Sequence, residues 1–569
     1  MRGLLRSSWF ACLYIAAVCI AALLVFQSRK QSFWLDNGAP SKALAQPFCS
    51  AGPPFDRPFE KPHWNGWGAG SENRHSQPQN MAGLPRDQVS RLKLKWAFGV
   101  PAVTGMWSQP TVVGGRVFLG SQAGKVFSLD AATGCTYWVF DAGANVRGAI
   151  SIGPIGGHWA AYFGDSGVST ANAYAVDAIT GQLLWKTVVD DSPYARISGS
   201  PVLESGRLYV PVTGNEDALA AKPGSVCCKF RGSLVSLDAA TGKLIWKTYT
   251  ISEEAHATRK NVHGVQQWGP SGAGIWSAPT VDAEKRVVYT ATGDSHSAPA
   301  TLTSDAILAF DMDTGAMLWS RQMTPRDVWN MACVQGDPAN CPDEPDEDLD
   351  FGSSPILVDL PQGRRALIAA QKSGVVYALD PDHRGNLLWQ RRIGKGGNAG
   401  GIQWGAAADE KNVYAALSDL KGAFTDELRS PFRSFWLRAK RRYLTDDGGG
   451  TFALNLESGQ PAWTAEPQCD GPGMCKPAQL AAITNIPGVV FSGSMDGYLR
   501  AYSTDDGKVL WANGTARDYV TVNGVKGHGG TISGPGPVVA GGVLYVNSGY
   551  LMPRGLAGNV LLAFSVDGL

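Results

Sequence analysis

Leu129-Asp130-Ala131-Ala132-Thr133-Gly134, followed by Trp138, recurs as Val176-Asp177-Ala178-Ile179-Thr180-Gly181 with Trp185 and as Leu237-Asp238-Ala239-Ala240-Thr241-Gly242 with Trp246. Looser copies occupy residues 311–319, 380–389, 455–463 and 503–511. Each copy reads as an apolar strand, a turn and a second strand: Asp or Asn satisfies backbone donors, Gly takes up positive φ, and the Trp four residues on is a large packing anchor. A partial copy at residues 92–96 has no strand before it, and Val560-Leu561-Leu562-Ala563-Phe564 at the far end has no Trp after it. The two halves complete one unit, so a ring joined at its ends leaves no open edge. The eight anchors Trp96, Trp138, Trp185, Trp246, Trp319, Trp389, Trp463 and Trp511 stand about 59 residues apart on average, a period that suits four-stranded blades. The pattern predicts an all-β, eight-bladed β-propeller over residues 55–569 as one domain, closed between its first and last strands. A solenoid would need polar caps, and neither end carries one.

Composition agrees with many short strands and tight turns. The 569 residues include 69 Gly, 34 Pro and 19 Trp, with 44% hydrophobic residues, which excludes disorder and coiled coil. Fifty Lys and Arg balance 49 Asp and Glu, a net charge of +1, so there is no electrostatic footprint for nucleic acid.

Residues 1–45 read as a signal peptide or membrane anchor with a linker. Arg2 and Arg6 precede an unbroken apolar run at residues 9–26, whose 18 residues are short for a bilayer span and long for a signal-peptide core. Ala43-Leu44-Ala45 resembles a cleavage site but lies far beyond that run. The expectation is export to the periplasm, either soluble after cleavage or anchored to the inner membrane through residues 9–26.

Cysteine usage suits an oxidising compartment. Outside the apolar run there are eight: Cys49, Cys135, Cys227, Cys228, Cys333, Cys341, Cys469 and Cys475. Cys333 with Cys341 and Cys469 with Cys475 would each close a short loop, and adjacent Cys227 and Cys228 could form a vicinal disulfide. Cys49 and Cys135 remain as a pair only by remainder, and free thiols are the alternative for each close pair. No Cys-x-x-Cys-His occurs, so these residues encode no covalent c-type haem. Two insertions stand out between anchors. Residues 429–443, basic and aromatic, read as a solvated surface helix, with contact to an anionic membrane or an electron-accepting partner as the alternative. The acidic run at residues 343–348 reads as a solvated loop, since Pro345 interrupts it and it has no EF-hand spacing.

The Trp-anchored repeat resembles the propellers of quinoproteins, which bind pyrroloquinoline quinone, and most of all the polyvinyl alcohol dehydrogenase group. The likeness runs from about residue 64 to the carboxyl end. Its stretches are Trp64-Asn65-Gly66-Trp67-Gly68, Cys227-Cys228-Lys229-Phe230-Arg231-Gly232, Gly269-Pro270-Ser271-Gly272-Ala273-Gly274-Ile275-Trp276, Asp350-Phe351-Gly352, Gln371-Lys372-Ser373-Gly374 and Gly400-Gly401-Ile402-Gln403-Trp404-Gly405. They are specific together and weak one by one. Members of that group often carry a haem segment before the propeller, whereas this chain has a lone Cys49 there.

A planar quinone with three carboxylates needs cations at its rim, flat surfaces above and below, and a metal at its reactive carbonyl. The resemblance implies Arg147 as a carboxylate contact, Ser198 where the family has a Thr donor, Trp276 as the stacking face, Trp404 as a further cofactor contact, and Lys372 as the cation on the quinone oxygens. Trp276 precedes Asp294 by 18 residues, the family's spacing between the stacking Trp and a calcium ligand. Glu216 and Asp294 match the two side-chain ligands of that calcium, with Asp294 where Asn is usual. Cys227 and Cys228 would supply the opposite face, although methanol-dehydrogenase-like members place their vicinal pair one blade earlier. The bland alternatives are a blade-edge salt bridge for Arg147, a core position for Trp276, turn caps for Glu216 and Asp294, and a solvated tip for Lys372.

The general base is less plainly marked. Where related enzymes have Trp-Asp, this chain has Asp327-Val328-Trp329-Asn330, and an amide cannot accept the alcohol proton. Asp327 is the expected replacement, with Asn330 as a metal or substrate contact. The resemblance thus implies an alcohol dehydrogenase that passes hydride to the quinone and electrons to a separate cytochrome c or a membrane quinone. The alternatives are a cofactor-binding propeller without catalysis and a scaffold resembling an outer-membrane assembly factor.

Overall fold

A computed structural model describes residues 48–569 except 51, 53, 168, 346, 421–447, 467–476 and 552–554. The apolar run at 9–26, Ala43-Leu44-Ala45, the 429–443 stretch and the Cys469 and Cys475 pair lie outside the described residues. Among the described residues no helix is long and apolar enough to cross a membrane.

Eight sheets of four or five antiparallel strands follow one another along the chain. The first complete blade is Thr111–Val113, Arg116–Leu119, Lys125–Asp130 and Thr136–Asp141. The last is built from both ends: Leu92–Gly99 pairs with Val560–Val566, setting Trp96 opposite Ala563 and Gly99 opposite Val560. The expected eight-bladed ring, closed by joining its termini, is what the chain forms.

The repeat acts as a clamp between blades. In the turn at Asp130, Oδ1 accepts from Ala132 N, Thr133 N and Thr133 Oγ1, which holds Gly134 at φ +75°. The indole of each blade then lies on the turn of the next. Trp138 donates to Ala178 O, Trp185 to Ala239 O and Trp246 to Met312 O, at 3.0–3.2 Å. A Cβ on Gly181, Gly242 or Gly315 would sit 2.5–2.7 Å from the indole of the preceding blade. Glycine is therefore required twice at these turns, for the left-handed backbone and for the seat of the Trp. Trp511 donates to Leu92 O and carries the clamp across the closure. The core lies between blades: Phe118, Val126 and Trp138 of one blade, for example, cluster with Ile152, Phe163 and Val176 of the next.

Residues 64–77 cross one mouth of the ring. Their backbone and amide groups bond Val112, Ile152, Val281, Leu357, Ala408, Asn485 and Val539, on the first strands of seven of the eight blades. His75 is wholly buried in this plug, edge-on to Trp64 and Trp67.

Disulfides join Cys49 to Cys135, Cys227 to Cys228 and Cys333 to Cys341.

Candidate active site

Loops that connect consecutive blades converge on a cavity of about 290 Å³. Arg147 comes from the link between the first two complete blades and Trp404 from a link four blades on. The guanidinium nonetheless lies 4.5 Å from the centroid of that indole, which places the site on the ring axis. Arg147 also donates to Tyr550 Oη at 3.2 Å. Trp276 meets Trp404 edge-to-face with centroids 5.1 Å apart. Small residues let these groups approach: a Cβ on Gly352 would fall 2.1 Å from Trp276, and one on Gly293 would fall 2.7 Å from Asp350 Oδ1.

On the same wall, Lys372 is 7% exposed, with Nζ 2.7 Å from Asp348 Oδ1 and 3.1 Å from Asp350 Oδ2. It also lies 5.3 Å from the Trp276 ring centroid. Asp294, at 5% exposure, donates its backbone N–H to Asp350 Oδ1 at 2.7 Å, while its own Oδ2 is buried with no hydrogen-bond partner among the described residues. One carboxylate oxygen from each of Asp294, Asp348 and Asp350 falls within 4.8 Å of the others. Three carboxylates thus share one buried lysine. Burial, then repulsion from Asp350 and Asp348, pushes the Asp294 carboxyl well above its usual range. Burial pushes Asp348 up as well, opposed by Lys372. Burial disfavours the Lys372 charge, but Asp348 and Asp350 outweigh it and hold the ammonium protonated beyond its ordinary range.

The cavity wall gathers Arg147, Ser198, Trp276, Asp294, Lys372 and Trp404 from the residues singled out in the sequence. The others stand behind it. Glu216, 1% exposed, opens the short turn Glu216–Leu219; its Oε2 accepts from Lys229 N and Phe230 N at 2.7 Å, and Oε1 is buried with no partner. Burial raises its carboxyl to about 7 against those two N–H groups. Cys227 and Cys228 are buried against Ala220, Ala332 and Cys341, so the pair is not a face of the cavity.

Two of the expected catalytic residues do not line the cavity. Asp327 is fully buried, with Oδ2 accepting from Leu349 N, and does not reach the wall. Asn330 is also fully buried and spent on the backbone: Nδ2 donates to His296 O and Asn340 O, and Oδ1 accepts from Ala332 N. It caps a turn. Three further carboxylates reach the wall: Asp217, one residue past Glu216, and Asp348 and Asp350, which were missed because the chain leaves the site after Met331 and returns only at Asp348. The signal was the Asp350-Phe351-Gly352 stretch. The acidic run is a surface loop at Asp343, Glu344 and Glu347, as expected, but its last member, Asp348, is buried because Lys372 pairs with it.

The residues fit a cation and a flat anion. Unpartnered buried oxygens on Asp294 and Glu216, with an excess of carboxylate over lysine, suit a hard metal ion. Arg147 and the two indoles suit a planar polycarboxylate.

The family described as glucose/ethanol/alcohol dehydrogenase, β-propeller domain, matches residues 221–339, and that described as outer membrane protein assembly factor BamB matches residues 90–225 and 372–551. A polyvinylalcohol dehydrogenase from a Pseudomonas species is 43% identical, over 93% of this chain and 81% of its own. One from a Sphingopyxis species is 39% identical over 94% and 81%. Among solved structures, quinohemoprotein alcohol dehydrogenase ADHIIG from Pseudomonas putida HK5 superimposes with a TM-score of 0.63 at 19% identity, over 92% of this chain and 83% of that one.

Proposed function

Because the chain belongs to the polyvinyl alcohol dehydrogenases, within the pyrroloquinoline quinone-dependent alcohol dehydrogenases, we propose that it oxidises a secondary or polymeric alcohol in the periplasm. The observation that carries this reading is the Lys372 ammonium held by Asp348 and Asp350 beside the unpartnered Asp294 oxygen, on the wall of a Trp-lined axial cavity. A scaffold has no use for such a cluster.

Arg147 and Ser198 hold the cofactor's carboxylates, and Trp276 with Trp404 supplies apolar surface that excludes water from its ring. Asp294 holds a calcium ion, joined by Glu216 from behind the wall. When bound, the quinone supplies a carbonyl that accepts hydride and the calcium supplies a Lewis acid. Lys372 donates a charged hydrogen bond at that end of the site. Asp350 takes the hydroxyl proton: it is the less enclosed of the two carboxylates on Lys372, with 13% of its side chain exposed against 9% for Asp348. A positioned base must reach the proton it removes, and Asp350 lies on the wall where Asp327 does not. Electrons leave to a separate cytochrome c or a membrane quinone.

The test combines binding and turnover. Apoprotein titrated with the quinone and calcium is expected to show saturable quenching of tryptophan fluorescence and to reduce an artificial dye with alcohols, both lost on chelation. Absence of saturable uptake with calcium present would remove the reading.

A further inference from the structure

Between Trp329 and Asp350 the chain makes an excursion whose first part, residues 330–341, is tied down at many points. Asn330 caps its first turn and reaches Asn340 O; Asn340 donates to Ala220 O and Ser225 O and accepts from Asn261. The Cys333–Cys341 disulfide closes it, Arg259 donates to Cys341 O, and His263 meets Asp337. Asp337 N also donates to Ala221 O.

Besides its last carboxylates, the excursion sends two side chains to the cavity wall, Trp329 and Met331. Among the described residues that line the cavity, Met331 is the one wholly apolar aliphatic side chain, and it is half-buried where Trp329 is buried. Trp276 and Trp404 brace each other, and Lys372 is pinned by two carboxylates. Met331 is therefore the deformable apolar part of the wall, an unbranched thioether chain carried on a rigid base. Asp350 and Lys372 line the same cavity, so an alcohol whose hydroxyl meets Asp350 has Met331 as the aliphatic surface that this cavity offers its carbon skeleton.

We propose that Met331, fixed in place by the Cys333–Cys341 loop, selects the alcohol by the bulk of the substituents on its hydroxyl-bearing carbon. This rests on the dehydrogenase reading above. A pocket discriminates between carbon skeletons by roughly 10-fold to 200-fold per methylene-sized difference, enough for one side chain to set the preference.

The test compares wild type, Met331→Ala and Met331→Leu with 1-butanol and 4-heptanol, in holoenzyme reconstituted with the quinone and calcium. Met331→Ala is expected to raise the ratio of kcat/KM for 4-heptanol over 1-butanol by about 10-fold or more, while Met331→Leu, close in volume, keeps the wild-type ratio. Quinone affinity, read by tryptophan quenching of the apoprotein, is expected to be equal in all three. An active wild type with the ratio unchanged in Met331→Ala overturns this proposal alone. Loss of quinone affinity in Met331→Ala also overturns it, by making Met331 a cofactor contact. A wild type that takes up the quinone but oxidises none of the alcohols removes the dehydrogenase reading and this proposal together.

Discussion

Asp350 lines the cavity and Asp327 is buried away from it, and a pair of isosteric changes separates their roles. Asp350→Asn is expected to lower kcat by about 100-fold to 10,000-fold with little change in quinone affinity, as for removal of a positioned base. Asp327→Asn is expected to keep kcat within a few-fold and to act on stability instead, because its carboxylate holds Leu349 N just before the returning Asp350. Steady-state kinetics with the dye assay decide it: a large rate loss in Asp327→Asn with none in Asp350→Asn reverses the assignment. Asp327-Val328-Trp329-Asn330 advertised one carboxylate, and the backbone excursion after it delivered another. Spacing along a chain reports proximity only while the chain keeps to the repeat, and here it leaves the repeat between Asn330 and Asp350.

At the level of the blade, the Asp-x-x-Thr-Gly turn and the Trp after it are two halves of different contacts, since each Trp is seated on the following blade's glycine. Gly181 has φ +73° and would place a Cβ 2.7 Å from Trp138, whereas Gly206 has φ +74° and nothing within 4 Å. Gly206→Ala is expected to cost only the left-handed strain, about 1–2 kcal/mol. Gly181→Ala adds displacement of the indole and is expected to cost about 2–4 kcal/mol. Denaturant midpoints of the two variants measure the difference, and equal shifts would mean that the Trp seat carries no energy. Sequence alone pointed to the glycine and the Trp of each copy but assigned them to one hairpin. The periodicity was visible; that the partners belong to neighbouring blades was not.

Across the whole molecule, the plug at residues 64–77 links the first strands of most blades, and His75 is its titratable centre. Burial lowers the imidazole pKa from 6.5 to about 3, with neither ring nitrogen hydrogen-bonded. The folded protein therefore keeps His75 neutral while the unfolded chain takes up a proton, so its contribution to stability is full above pH 6.5 and is lost as the pH falls toward 3. In that window it should steepen the fall in stability by about 1.4 kcal/mol per pH unit. His75→Phe is expected to remove that one-proton slope between pH 6 and about 4, measured by denaturant unfolding. Identical slopes in the two proteins would show that His75 protonates without unfolding the plug.

Taken by itself, the sequence determined the blade count, the all-β class and closure through Leu92–Gly99 and Val560–Val566, because hydrophobic alternation and turn chemistry are local and repeat eight times. Its likeness to the quinoprotein propellers also pointed to Arg147, Trp276, Asp294 and Lys372. Only the tertiary structure decided which side chains face the axis. It turned Asn330 to the backbone, kept Cys227 and Cys228 behind the wall, and brought in Asp348, Asp350 and Met331 from a disulfide-closed excursion. The physical reason is that a propeller core repeats and can be read from period, whereas its axial site is assembled from irregular links. The direction of each side chain there is set by buried hydrogen bonds and ion pairs to residues far away in sequence.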